Sequence, residues 1–210
     1  MRTLHKHTKA FTMLELVFVI VVLGILASLA LPRMDRDLRQ EAKDNILAAI
    51  RYTQHLALND DKTDPTDPNW QKKLWKITFS ISGNNLANFY TISSDDNQNG
   101  TVDKNETAID PQDGKYMFTD DSTIDIDESS NIFIGKKYGV INMTFSGGCS
   151  NTAPEIAFDH LGRTYNDIGS ATNDYSKYMS LDCNIVFSFA DGSTPITVII
   201  VPETGYVSAD

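Results

Sequence analysis

The chain predicts an α+β fold, one long helix followed by an antiparallel β-rich domain, and three features of its 210 residues carry that expectation. Phe11 to Leu31 is an apolar run with Glu15 as its only charge. From Leu38 to Leu56 apolar residues recur at helical steps. Beyond Asp60 short β-branched and aromatic runs alternate with Gly, Asn and Asp punctuation.

The first ten residues, Met1–Ala10, form a short basic leader carrying Arg2, Lys6 and Lys9. The 21 residues from Phe11 to Leu31 reach about 31 Å as a helix, enough to cross the hydrocarbon core of a bilayer. The leader cations orient such a segment with the leader in the cytoplasm and everything after Pro32 across the membrane. Glu15 is costly there, on the order of 2.5–3.5 kcal/mol by insertion scales, so it needs a partner. If the chain is cut between Ala10 and Phe11, the new amine of Phe11 becomes that partner for Glu15 of a neighbouring copy. A secretory signal peptide competes with this reading, since Ser28-Leu29-Ala30 is a small-x-small cleavage site. It fits less well, because the 16 apolar residues from Leu16 to Leu31 exceed the usual signal core and a Glu precedes them. A plain uncleaved anchor is the other alternative.

Residues 32–59 continue the helix. Leu38, Ala42, Ile46, Ala49, Thr53 and Leu56 fall on one face, while Asp35, Arg39, Lys43 and Arg51 fall elsewhere, so the stripe reads as a core face. Pro32 removes a backbone donor and should bend or loosen the helix. Asn59 to Pro68 is a turn-rich linker that ends it. Residues 60–210 then read as β, with strands expected at Leu74–Ser82, Leu86–Ser93, Thr123–Asp127, Ile132–Gly135, Tyr138–Phe145, Glu155–Asp159, Cys183–Ala190, Pro195–Val201 and Gly205–Ser208. Trp70 and Trp75 read as packing residues where the linker meets the sheet.

The signal end resembles the class III signal of type IV pilins and of the pseudopilins of type II secretion systems. In that family a short basic leader ends at a small residue, mature residue 1 is Phe, residue 5 is Glu and a Pro lies near residue 22. Phe11, Glu15 and Pro32 occupy those places here, and Ala10 stands where the family has Gly. Near the other end, Ile156-Ala157-Phe158-Asp159-His160-Leu161-Gly162-Arg163 and the run from Ile196 through Thr204-Gly205-Tyr206-Val207 resemble the F-D-x-x-G-R turn and closing T-G-Y-V hairpin of H-type minor pseudopilins. The resemblance implies a pilin-like fold and processing by prepilin peptidase between Ala10 and Phe11, with methylation of the new terminus. It also implies assembly through Glu15 and the helix, and partners among other pilin or pseudopilin subunits, an inner-membrane assembly platform and membrane lipid. The expected place is the bacterial inner membrane, single-pass, with the globular domain periplasmic and later in a filament. A minor pseudopilin is the first functional reading. A minor pilin of a type IV pilus, for adhesion or DNA uptake, and a membrane-anchored calcium-dependent binding module are the alternatives.

Charge argues against nucleic acid as a partner. Removing the three leader cations from 18 basic residues leaves 15 against 28 acidic side chains, or −13, with no basic stripe beyond Lys72, Lys73 and Lys76 or Lys136 and Lys137. Cys149 and Cys183 both fall in the exported part, where a disulfide is the natural state; two buried free thiols are the alternative.

Asp95 to Glu106 fits the twelve-residue calcium loop in its diagnostic places. Asp95, Asn97 and Asn99 supply side-chain oxygens at positions 1, 3 and 5, and Gly100 makes the turn at 6. Thr101 offers its carbonyl at 7, Asp103 acts at 9 and Glu106 can bind with both oxygens at 12. One calcium ion is the expected cofactor. The flanking segments do not read as helices, and a plain Asn/Asp-rich hairpin without metal is the competing reading. No catalytic residue is expected, because the chain has no zinc spacing, nucleophile elbow or phosphate loop. Asp159-His160, adjacent at a strand end, would point apart.

Overall fold

A computed structural model describes residues 12–80, 88–120, 123–171 and 175–210, without the side chains of residues 29–37. The leader, Ala10 and Phe11 lie outside the described residues. One helix, α1, runs from Met13 to Asn59 without interruption at Pro32. The chain divides into two compact units, Met1–Gln40 and Glu41–Asp210.

In the first unit every described side chain from Thr12 to Ile25 and on to Ser28 is exposed, including Leu16, Phe18, Ile20 and Leu23. A helix apolar all round is stable only when lipid or protein covers it. Among the described residues no helix is long and apolar enough to cross a membrane. The expected span of Phe11 to Leu31 runs at both ends into residues outside that description.

In the second unit the C-terminal part of α1 buries Ala42, Ile46, Leu47, Ala49, Ile50 and Ala57. These are the expected stripe, widened by Leu47, Ile50 and Ala57. Leu38, expected on it, lies in the first unit and is 44% exposed. Thr53 is fully buried and satisfies its hydroxyl by donating to the Ala49 carbonyl at 2.9 Å, which makes a polar residue tolerable in a core face.

Among the described residues eight strands form two antiparallel sheets. The first has the order β2-β1-β4-β5, from β1 (Trp75–Ser80), β2 (Phe89–Ser93), β4 (Glu155–Phe158) and β5 (Thr164–Tyr165). The second has the order β3-β6-β7-β8, from β3 (Val140–Gly147), β6 (Cys183–Phe189), β7 (Ile196–Ile200) and β8 (Val207–Ala209). Strand β6 alternates buried and half-buried residues along its whole length, as a strand with one face on a core should. Phe79 of β1 meets Phe145 of β3 at 5.8 Å and Phe187 of β6 at 5.7 Å between ring centroids, so aromatic contacts join the two sheets in one core. Trp70 belongs to a second, smaller cluster with Leu74, Ala157, Tyr165 and Ile168. Trp75 is half-buried and donates its indole N–H to Asp60 at 2.8 Å, which pins the linker to β1.

Two expected strands are absent. Residues 123–127 hold no strand, and the apolar run at Ile132–Gly135 is a 3₁₀ turn, Ser130–Ile132, followed by a short helix α2, Ile134–Tyr138. Ile132, Phe133 and Ile134 are all buried, and a continuous apolar run of that length does not distinguish strand from helix. The ends of the strands expected at Leu74–Ser82 and Leu86–Ser93 fall on residues 81–87, outside the described residues.

Candidate functional site

At the start of α1, Thr12 and Glu15 cap the helix for each other. The Glu15 amide donates to Thr12 Oγ1 at 3.3 Å, and the Glu15 carboxylate accepts from the Thr12 amide at 2.9 Å and hydroxyl at 3.0 Å. This is a capping box, with a Thr followed three residues later by Glu. Glu15 therefore has a partner inside its own chain, beside the expected pairing with a neighbour's terminal amine. Ala10 and Phe11, the expected processing pair, lie outside the described residues.

The loop from Asp95 to Glu106 opens immediately after β2. Its neck is closed by the Ser94 amide donating to the Glu106 carbonyl at 3.0 Å and by a bridge between Ser93 and Thr107. Inside the loop, Asp95 Oδ2 accepts from the Gly100 amide at 3.0 Å, Asn97 Oδ1 from the Asn99 amide at 2.9 Å and Asn99 Oδ1 from the Thr101 amide at 2.7 Å. Glu106 spans the loop from its far end, taking the Asn97 amide on Oε1 and the Asp103 amide on Oε2, both at 3.1 Å. Gly100 has φ +82°, a backbone that other residues adopt only at a cost. Asp95, Asn97, Asn99, Thr101, Asp103 and Glu106, the six expected ligands, thus belong to one closed loop. Among the described residues no three His, Cys, Asp or Glu side chains stand together as a metal cage.

This loop is tied to the linker. Lys62 bridges Asp96 at 2.9 Å and Asp60 at 2.8 Å, Ser94 Oγ donates to the Lys73 carbonyl at 2.6 Å, and Gln98 donates to Asp67. Asp67 also pairs with Lys73 at 3.0 Å. The Asn69 amide, Lys73 and Gln98 hold its carboxyl below the usual carboxylate range.

Cys149 and Cys183 are disulfide-bonded, with Cα atoms 5.1 Å apart. Cys183 starts β6 and Cys149 follows β3, so the bond closes the base of the β3–β6 pair.

The F-D-x-x-G-R turn is organised by Asp159, which is 1% exposed. Its carboxylate accepts from the Leu161 and Arg163 amides at 3.0 Å each, from Arg163 Nε at 2.7 Å and from the Tyr165 hydroxyl at 3.1 Å. Burial, then the Asp159 charge, pushes the Tyr165 hydroxyl pKa up. His160 turns the other way and meets Asp61 at 3.0 Å and Thr63 at 3.2 Å. The expected divergence of these neighbours is what the structure has, and they form no acid–base pair.

Sequence reasoning missed Gln54. From α1 its amide donates to the Thr204 carbonyl at 2.8 Å and reaches the Gly162 carbonyl at 3.5 Å. One side chain thereby latches the helix to both C-terminal turns. A Cβ on Gly205 would stand 2.4 Å from the Gly162 carbonyl oxygen and 2.4 Å from Gln54 Nε2, at φ +61°. Gly192 has a similar φ, +72°, with nothing near. Gly205→Ala should therefore lower the melting temperature more than Gly192→Ala. Gly192→Ala carries only the backbone cost of about 1 kcal/mol. Equal shifts in a thermal melt of the two variants would remove the latch from the fold's stability.

The prokaryotic N-terminal methylation motif matches residues 5–31 of the chain. The chain is also similar to a fimbrial protein of Dichelobacter nodosus, 29% identical over 135 residues that cover 61% of this chain and 77% of that protein. No solved structure matches the chain.

Proposed function

We propose, from the premise that this chain belongs to the type IV pilin family, that it is a minor pseudopilin of a type II secretion system. The prepilin motif implies a membrane-anchored pilin, and the family assembles with other pilin subunits. Pilins are in general structural subunits. The observation that carries the finer reading is the pair of C-terminal turns clasped on Gln54, because these are the F-D-x-x-G-R and T-G-Y-V elements that resemble H-type minor pseudopilins. In this reading prepilin peptidase cuts between Ala10 and Phe11. The apolar part of α1 then holds the subunit in the inner membrane, leader side cytoplasmic, until the assembly platform moves it into a filament helix against helix. The exposed apolar side chains from Met13 to Leu26 supply the surface for lipid first and for neighbouring helices afterwards.

The relative's description as a fimbrial protein favours a second reading, a minor pilin of a type IV pilus. Deleting the gene separates the two. The pseudopilin reading expects folded proteins to accumulate in the periplasm while surface pili persist. Loss of pili with protein secretion intact would overturn it in favour of the pilus.

A further inference from the structure

The loop closed by Glu106 carries an inference that neither the methylation motif nor the fimbrial relative touches. Asp95 is 5% exposed, and its two carboxylate oxygens differ. Oδ2 crosses the loop to the Gly100 amide, which fixes the carboxylate inside the turn, while Oδ1 is buried and meets no donor. A buried carboxylate oxygen with no hydrogen-bond partner is costly, and such a group is retained where something else satisfies it. Glu106, also buried, closes the same loop from its far end. Its two amide bonds use one acceptor direction on each oxygen and leave a second on each.

The geometry points to a calcium site formed by Asp95, Asn97, Asn99, the Thr101 carbonyl, Asp103 and Glu106. The donors are all oxygens, two from amide side chains, one from the backbone and the rest from three carboxylates. That set suits a hard cation with flexible coordination and gives zinc or copper none of the nitrogen or sulfur they prefer. Among the described residues the three carboxylates are not gathered in one cage, so binding would have to draw the exposed Asp103 toward the ion. The Asn97 and Asn99 side-chain oxygens each already turn inward to the backbone two residues on, and Asp103 is exposed, so these three ligands adjust around the ion. Asp95 and Glu106 form its fixed floor.

The site's place in the fold gives binding a consequence. The loop is fastened to the linker through Lys62–Asp96 and Gln98–Asp67 and to the turn just after it through Ser94–Lys73, and the linker leads directly from the end of α1. An ion bound by both ends of the loop would fix the bridge between α1 and the first sheet. With three carboxylates and no flanking helices to preorganise it, affinity should lie in the extracellular range, a Kd of about 10⁻⁴–10⁻³ M.

The test is calorimetric titration of calcium chloride into the full chain in detergent, with melting curves in calcium and in chelator. One ion per chain is expected, with a melting temperature higher by roughly 3–6 °C at ten times Kd. Glu106→Gln and Asp103→Asn should each weaken binding by at least about tenfold, from the loss of a charged ligand. Asp103 is exposed, and Asn keeps the side-chain oxygen that caps the turn at Lys104–Glu106, so Asp103→Asn should melt like the parent in chelator, whereas Glu106→Gln also gives up one of its two loop amide bonds and should melt slightly lower. No calcium heat at millimolar concentration with a melting temperature indifferent to calcium would overturn the site. So would unchanged affinity in Asp103→Asn and Glu106→Gln.

Discussion

Glu15→Ala is expected to leave cleavage after Ala10 and membrane insertion intact while reducing incorporation into filaments by on the order of a hundredfold. Two interactions disappear together in that variant. The capping box with Thr12 is local and is worth about 0.5–2 kcal/mol. The proposed pairing with a neighbour's terminal amine would remove a charge from lipid, where an unpaired one costs about 2.5–3.5 kcal/mol, and that range corresponds to the hundredfold loss. Two further variants separate them. Glu15→Gln keeps an acceptor for the Thr12 amide but loses the charge, and should assemble as poorly as Glu15→Ala. Thr12→Ala loses the cap alone and should assemble nearly normally. Co-purification of each variant with partner pilins is the measurement, and normal recovery of Glu15→Gln would remove the charge from the assembly mechanism.

Cys149→Ser should lower the melting temperature by about 10 °C. The bond joins residues 34 apart in sequence, and constraining the unfolded chain over such a loop is worth about 3.8 kcal/mol on the chain-entropy model. A chain of this size shifts by about 2–4 °C per kcal/mol. Both cysteines are buried, so the serine hydroxyl adds a desolvation cost in the same direction. Calorimetric melting of the variant against the parent gives the number. Quantitative labelling of two thiols in the unreduced, denatured parent would contradict the bond itself.

Much of the fold was legible because it rests on periodicity and punctuation. Ala42, Ile46, Ala49 and Thr53 are buried as their spacing indicates, and most strands lie within the runs expected for them. With two cysteines in the chain, only one intramolecular pairing was open. What failed depended on tertiary context. Ile132–Gly135 became helix because full burial erases the alternation that marks a strand, and β5 has two residues, too few for any pattern. The Gln54 latch joins residues 108 and 150 apart, and nothing in a local window announces that a helical Gln will serve two turns. The two glycines were visible as turn residues, but their close approach was not. In the loop, residue types indicated the proposed ligand positions. The unsatisfied Oδ1 of Asp95 and the ties to Lys62, Asp67 and Lys73 required coordinates.

Mass spectrometry of the mature amino terminus tests the central claim most directly, because in the proposed reading processing, methylation and assembly all proceed from one cut. A chain beginning at Phe11 with a methylated amine is the predicted result. A chain retaining Met1, or one beginning at Leu31 after a signal-peptidase cut behind Ala30, would contradict it.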